Sequence, residues 1–319
     1  MQRQHFFKLT AACLLAGFTA LASAQTKTTR ILVAFPPGGP VDFVARTLTE
    51  QLSKELGQQV MVENKAGANG AIAADTLLKA PADGQTLWLT SVGAVAINPS
   101  LYPALPYDPV RDLAPVSLVV NNVEMLVVNP NNPVNGPQEF VAVAKQKPTT
   151  MASSGTGSVP HLAMELLADA TKTNLIHVPY KGAAPAITDV MAGHVDGFFG
   201  DIPGLMGHIR SGKLKPVALA STRRHPLFPD VKTFQEIGIN GVDSDNWYAL
   251  FTHKSIPAAD LERINQAVRR TLANEAVRSK LIASGAEPSA SSSAELSTLL
   301  KNDMVKWGRV IRDKKVKAD

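Results

Sequence analysis

The chain has 319 residues, 45% of them hydrophobic and 18% charged, with a formal net charge of +5. That much apolar material excludes a disordered chain, and the length favours two domains over one. The mild positive balance singles out no polyanionic partner, so no nucleic acid is expected.

The long uncharged apolar run at 9–22 is shorter than the roughly 20 residues of a membrane-spanning helix. Arg3 and Lys8 precede it and Ala22-Ser23-Ala24 closes it as a small-residue cleavage site. This is the layout of a signal peptide over 1–24, with a mature chain beginning at Gln25. Cys13, the sole cysteine, lies inside that segment, so the mature chain is expected to offer no disulfide and no thiolate. A lipid anchor on Cys13 is disfavoured, because Leu14, Leu15 and Phe18 carry the apolar run beyond it.

The run at 30–35 is apolar and β-branched and is stopped by Pro36-Pro37-Gly38-Gly39-Pro40, the pattern of a buried strand entering a sharp loop. Val44, Leu48, Leu52 and Leu56 then recur every four residues among charged neighbours, which predicts an amphipathic helix ended by Gly57. A strand at 59–63, a turn at 67–70, a helix at 71–79 and a strand at 86–90 continue the cycle. A second alternating series has strands at 125–129, 150–153, 175–178, 195–199 and 216–220, with helices near 138–147, 159–171 and 185–192. Such alternation gives an α/β class with parallel sheets covered by helices. From Pro257 onward only helical stripes remain, Leu261, Ile264, Val268 and Leu272, then Leu300, Met304, Trp307 and Ile311. These need a surface to cover, and the tail is expected to return to the first domain. Domain 1 is then 25–126 with 249–319, and domain 2 is 127–248. The serine-rich tract at 289–293 reads as a surface loop.

Two glycine-rich loops stand between a strand and a helix, where backbone N–H groups at a positive helix end bind an anion without a charged side chain. The first runs from Phe35 through Gly38 and Gly39 to Asp42; the second is Ser154-Gly155-Thr156-Gly157-Ser158, before the helix carrying His161. Either loop alone is equally a tight turn. Gly157 is expected at the surface, where its lack of a side chain admits a ligand to the backbone. Neither loop has the Lys-Ser/Thr of a P-loop or the third glycine of a dinucleotide fingerprint, so no nucleotide cofactor is expected. The scattered histidines have no metal-ligand spacing. Ser158 and His161 offer an alternative reading as a periplasmic hydrolase, but there is no Gly-x-Ser-x-Gly elbow and no third member. Ser158 reads better as a helix cap and His161 as a cap or pocket wall. Asp42 either stabilises the helix end or meets a ligand, and Lys181 in Tyr180-Lys181-Gly182 either meets an anion or is solvated. Asp201, after the strand at 195–199, is expected at the mouth of a cleft, as a ligand contact or a turn aspartate.

These loops also carry a family pattern. The segments are Phe35-Pro-Pro-Gly-Gly with Asp42 and Arg46, Val62-Glu-Asn-Lys, Ala82-Asp-Gly-Gln, Leu105-Pro-Tyr-Asp-Pro, Ser154-Gly-Thr-Gly-Ser with His161, and Val178-Pro-Tyr-Lys-Gly. On these the chain resembles the Bug family, the periplasmic substrate-binding receptors of tripartite tricarboxylate transporters. The resemblance implies a two-lobed flytrap fold, each lobe a mixed, mostly parallel sheet, closing on a small carboxylate held by backbone amides and water at the two glycine loops. It places a polar residue at Asp201 near the ligand. It implies a monomeric receptor without enzymatic activity or cofactor. The carboxylate is a di- or tricarboxylate, an aromatic acid or an amino acid, and the partner is the membrane subunits of such a transporter or a sensor kinase. Pro40-Val41 departs from the pattern, since relatives often have a small residue and then Ser or Thr, so a hydroxyl contact is lost. Lys232 stands where the family usually has proline.

Overall fold

The computed structural model describes residues 27–317, so the expected signal peptide and Cys13 lie outside the described residues. In chain order the first elements are β1 (Thr28–Val33), α1 (Pro40–Leu56), β2 (Gln59–Asn64), α2 (Ala71–Leu78), β3 (Thr86–Ser91), a π-turn over Gly93–Ile97, α3 (Asn98–Leu101) and β4 (Leu113–Asn122). The next are β5 (Glu124–Val128), α4 (Pro137–Gln146), β6 (Thr149–Ser153), α5 (Val159–Thr171), β7 (Leu175–Pro179), α6 (Ala183–Ala192), β8 (Gly197–Asp201), α7 (Ile202–Arg210) and β9 (Lys215–Leu219). The chain closes with β10 (Asn246–His253), α8 (Ala258–Ala273), α9 (Glu275–Ser284), β11 (Glu287–Pro288) and α10 (Ser293–Lys314). No helix among the described residues is long and apolar enough to cross a membrane.

The strands form two sheets, β11-β4-β10-β3-β1-β2 and β7-β6-β8-β5-β9. β1 runs parallel to β2 and β3, while β10 runs antiparallel to both β3 and β4. In the second sheet β6 is parallel to β7 and β8, and β5 is antiparallel to β8 and β9. Successive residues feed opposite faces: Ile31 and Leu87 enter one hydrophobic cluster, Leu32 and Trp88 another. Met125 and Leu126 divide in the same way in the second sheet. Burial on both faces explains why these strands read as unbroken apolar runs.

Three expectations need correction. The division at 126/127 cuts through β5, and that at 248/249 cuts through β10; the chain leaves the first sheet at Val123 and re-enters it at Asn246. The strand placed at 195–199 lies two residues later, so Asp201 ends β8 and serves as the N-cap residue of α7. The tail contains the short strand β11, paired with β4, besides its helices. The serine tract does run as a loop at the surface up to the start of α10, and it is tied down. Ser291 Oγ accepts the Leu118 N–H at 2.9 Å, its own N–H donates to Ser117 Oγ at 3.1 Å, and Ser292 with Glu295 forms a capping box for α10.

Candidate functional site

The first glycine loop is braced from within. Asp42, in the first turn of α1, is buried; its Oδ2 accepts the Gly38 N–H at 3.0 Å and Arg46 Nε at 2.9 Å. Its Oδ1 accepts Asn64 Nδ2 at 2.9 Å, and the same Nδ2 donates to the Phe35 carbonyl at 3.0 Å. Burial alone would raise the Asp42 pKa, but these hydrogen bonds and the Arg46 charge outweigh it and hold the carboxyl below its usual range. The carboxylate is fully occupied in shaping the loop. Gly39 caps α1 with no side-chain bond, and Pro40 opens the helix. The first N–H groups of α1 are thereby left for whatever occupies the space ahead of them.

The second loop is braced from behind. Ser153 Oγ accepts the Gly155 N–H at 3.1 Å and lies 2.6 Å from His177 Nε2. The Ser154 carbonyl accepts the Gly182 N–H at 3.1 Å, which ties the loop to the segment before α6. Ser158 caps α5, its Oγ accepting the backbone N–H of His161 at 3.4 Å. The His161 ring is engaged elsewhere: Nδ1 accepts the Gly157 N–H at 3.2 Å, and the ring stacks on His177 at 3.8 Å between centroids. An accepting Nδ1 leaves the proton on Nε2, which faces Glu165 at 3.7 Å. A Ser–His nucleophile pair needs that ring to receive the hydroxyl proton. Here the serine is a cap and the imidazole a brace.

The two loops meet. A narrow pocket of about 30 Å³ is lined from the first sheet's side by Phe35, Pro36, Gly39, Pro40, Val41, Ser91, Asn246 and Tyr248. Ser154, Ser158, Val159, Pro160, Ala183, Phe198, Gly200 and Asp201 line it from the second. It therefore receives the N-terminal residues of α1, α5 and α6, at the carboxyl ends of β1, β3, β6 and β8. A second, wider opening shares Phe35, Pro36 and Ser154 and adds Gly155, Thr156, Tyr180, Lys181 and Gly182, with Asn69 and Tyr102 from the first sheet's side. Between the two, the lobes touch. Gly182, at φ +109°, has no room for a side chain, since a Cβ would lie 2.7 Å from Pro36 Cδ. Tyr102 Oη donates to the Thr156 carbonyl at 3.1 Å.

Of the residues singled out from the sequence, Phe35, Gly39, Ser154, Gly155, Thr156, Ser158, Tyr180, Lys181, Gly182 and Asp201 line one of these two spaces. Gly38, Asp42, Gly157 and His161 line neither; Gly38 is exposed, and the other three are buried behind the loops. Gly157 is buried, not at the surface: a Cβ there would lie 2.6 Å from Leu101 Cδ2 on the other lobe. Asp201 is likewise buried, deep in the pocket wall and not at an open mouth. It sits under Asn246 Nδ2, which donates to both its oxygens at 3.0 and 3.1 Å, and under the Tyr248 hydroxyl. Sequence reasoning missed Ser91, Asn246 and Tyr248. Ser91 ends a strand that was read correctly, and the carboxyl-end rule points to it. Asn246 and Tyr248 reach the pocket only because β10 inserts between β3 and β4.

Two α/β lobes enclosing a pocket at the carboxyl ends of their strands define a two-lobed solute-binding protein. The chain belongs to the tripartite tricarboxylate transporter family receptor group, whose family model matches residues 44–316; the family is one of receptors. It is 34% identical to BugT of Bordetella pertussis over 304 residues, 93% of each chain. Among solved structures it is similar to a periplasmic transporter protein at 35% identity and a TM-score of 0.89, covering 93% of this chain and 100% of that one. An R. palustris protein solved with adipate gives a TM-score of 0.89 at 28% identity, covering 92% and 99%. MatC from Rhodopseudomonas palustris, solved with malate, gives 0.84 at 30%, covering 90% and 99%.

Proposed function

We propose that the protein is a periplasmic receptor that captures a small organic carboxylate in the pocket between its lobes and hands it to a tripartite tricarboxylate-type transporter without chemical change. The observation that carries this reading is the convergence of the α1, α5 and α6 N-termini on one pocket, with the hydroxyls of Ser91, Ser154 and Ser158 beside them. Unpaired backbone N–H groups at helix ends are matched to a carboxylate. Adipate and malate in related structures are both carboxylates, which supports the same class here. On this reading Gly39, Ser154 and Ser158 meet the anion, while Gly38, Asp42, Gly157 and His161 hold the donors in place. Residues 27–122 with 246–317 and residues 124–245 act as the two moving lobes, and the mature chain begins after Ala24.

The test is mass spectrometry of small molecules released from protein taken from its native periplasm, followed by calorimetry with each candidate acid on stripped protein. Saturable binding with the acid recovered unchanged is the expected outcome. Conversion of the acid, or stabilisation by neutral esters as strongly as by acids, overturns it.

A further inference from the structure

We propose that the outward face of α10 is a docking surface for a bilayer carrying anionic phospholipid. Its use, to bring a receptor into the plane of a membrane transporter, rests on the receptor reading; the surface itself does not. The first ground is where the charge lies. Residues 301–317 hold seven lysines and arginines against Asp303 and Asp313, a net +5. The whole chain is also +5, so the rest of it balances to zero. Arg312 and Lys314 stand in the last turn of α10, where they meet the negative helix end. Lys301, Lys306 and Arg309 lie earlier, and the dipole does not account for them.

The second ground is geometry. Leu296, Leu300, Trp307 and Ile311 are buried in the core of the first lobe, which fixes the way the helix faces. On the outward side Lys301, Val305, Arg309 and Arg312 follow at intervals of four, four and three residues, a stripe of roughly 16 Å. All four are exposed, and Val305, at 73%, is the most exposed large hydrophobic among the described residues. Lys306 and Lys315 are exposed as well. The acidic groups of α10 are engaged: Glu295 in the capping box, Asp303 with Trp247 Nε1 at 2.7 Å, and Asp313 with Arg309 at 3.4 Å.

A convex ridge of long, flexible cations around one aliphatic side chain fits a plane of phosphate head groups, with the hydrocarbon reaching toward the acyl boundary. A protein partner is the poorer match. Protein interfaces deplete lysine and centre on aromatic anchors, whereas the one aromatic residue of α10, Trp307, is buried.

The test floats the full mature protein with vesicles of phosphatidylcholine, alone or mixed with phosphatidylglycerol. Partition onto the anionic vesicles at low salt is expected to be at least about tenfold stronger than onto neutral ones, and to fall as much in about 0.5 M salt. Lys301→Glu, Arg309→Glu and Arg312→Glu together are expected to weaken anionic partition at least about tenfold while the protein still melts cooperatively. Lys145→Glu, Lys147→Glu and Lys213→Glu, at exposed positions of the second lobe, change the net charge equally and are expected to keep it. Equal loss in both triple variants overturns the assignment to α10 and makes net charge the cause. Should the α10 triple not fold, Val305→Glu alone replaces it: weaker partition supports the stripe, unchanged partition overturns it. Absence of partition onto anionic vesicles at low salt overturns the proposal and turns this face over to an acidic protein partner. None of these results bears on carboxylate binding, which calorimetry judges separately.

Discussion

Glu124 and Asp201 are cross-strand partners at adjoining ends of β5 and β8, two buried carboxyls at the place where the chain has just passed from one lobe to the other. Asn246 Nδ2, from the strand at which the chain returns, lies 3.3 Å from Glu124 Oε1 and bonds to Asp201 as well. Both connections between the lobes therefore end on one polar cluster.

The cluster sets a pH dependence. Burial, with the neighbouring Asp201 charge, pushes the Glu124 carboxyl well above its usual range. Burial also raises Asp201, against the bonds from Tyr248 and Asn246, to about 6. A carboxyl whose pKa is raised on folding binds more protons folded than unfolded, so its contribution is fully present below the unfolded value of about 4 and is lost as pH rises through the folded one. The melting temperature of the wild type relative to Asp201→Asn is expected to fall between about pH 4 and 6. A difference that stays flat across that window would show that Asp201 does not titrate there.

Asp42 has the opposite sign. Its lowered pKa means that its contribution is present above the unfolded value and is lost as pH falls below about 4. Asp42→Ala strands the Gly38 N–H and Asn64 Nδ2 and is expected to cost about 2–3 kcal/mol by denaturant titration, with loss of ligand affinity as the loop relaxes. A variant as stable as wild type would remove the bracing role.

Replacing Gly157 tests lobe contact. Valine there meets Leu101 across the cleft and adopts φ +78°, which β-branched residues avoid. The variant is expected to bind at least tenfold more weakly while small-angle scattering shows it more open than wild type with ligand present. Leu101→Ala in the same chain should restore part of the loss, since it removes the clash but not the backbone strain. Restoration to full affinity, or no restoration, would separate these two causes.

Tyr102→Phe removes the hydroxyl that donates to the Thr156 carbonyl from the other lobe. The loss of one such bond, about 1 kcal/mol, corresponds to roughly fivefold in affinity. The change should appear in the dissociation rate if the bond exists only in the closed form. A pure change in association rate would argue against that.

Local chemistry was legible in the sequence wherever one element decided its own fate. Gly57 does end α1 in the left-handed conformation, and Ser158 does cap α5, because both signals act within one turn of backbone. α7 escaped notice since Gly204 and Gly207 weaken its helical pattern; in the fold Gly204 lets α7 approach Pro40 of α1, where a Cβ would come within 3.0 Å. β4 and β10 escaped because their identity lies in pairing with strands far away in the chain, which no local pattern records. The same reason hid Asn246 and Tyr248 from the site.

The insertion of β10 between β3 and β4 bears on how the molecule is made. Until residues 246–253 are available, the sheet that supports the first glycine loop has a gap at its centre, and β3 and β4 have no strand between them to bond. The amino-terminal part of the chain cannot finish its own lobe while it is being synthesised, because the missing strand pairs over a long sequence separation and such contacts form late. A polypeptide that stays incomplete until nearly all of it has emerged is one that a translocation machine requiring unfolded chain can still thread.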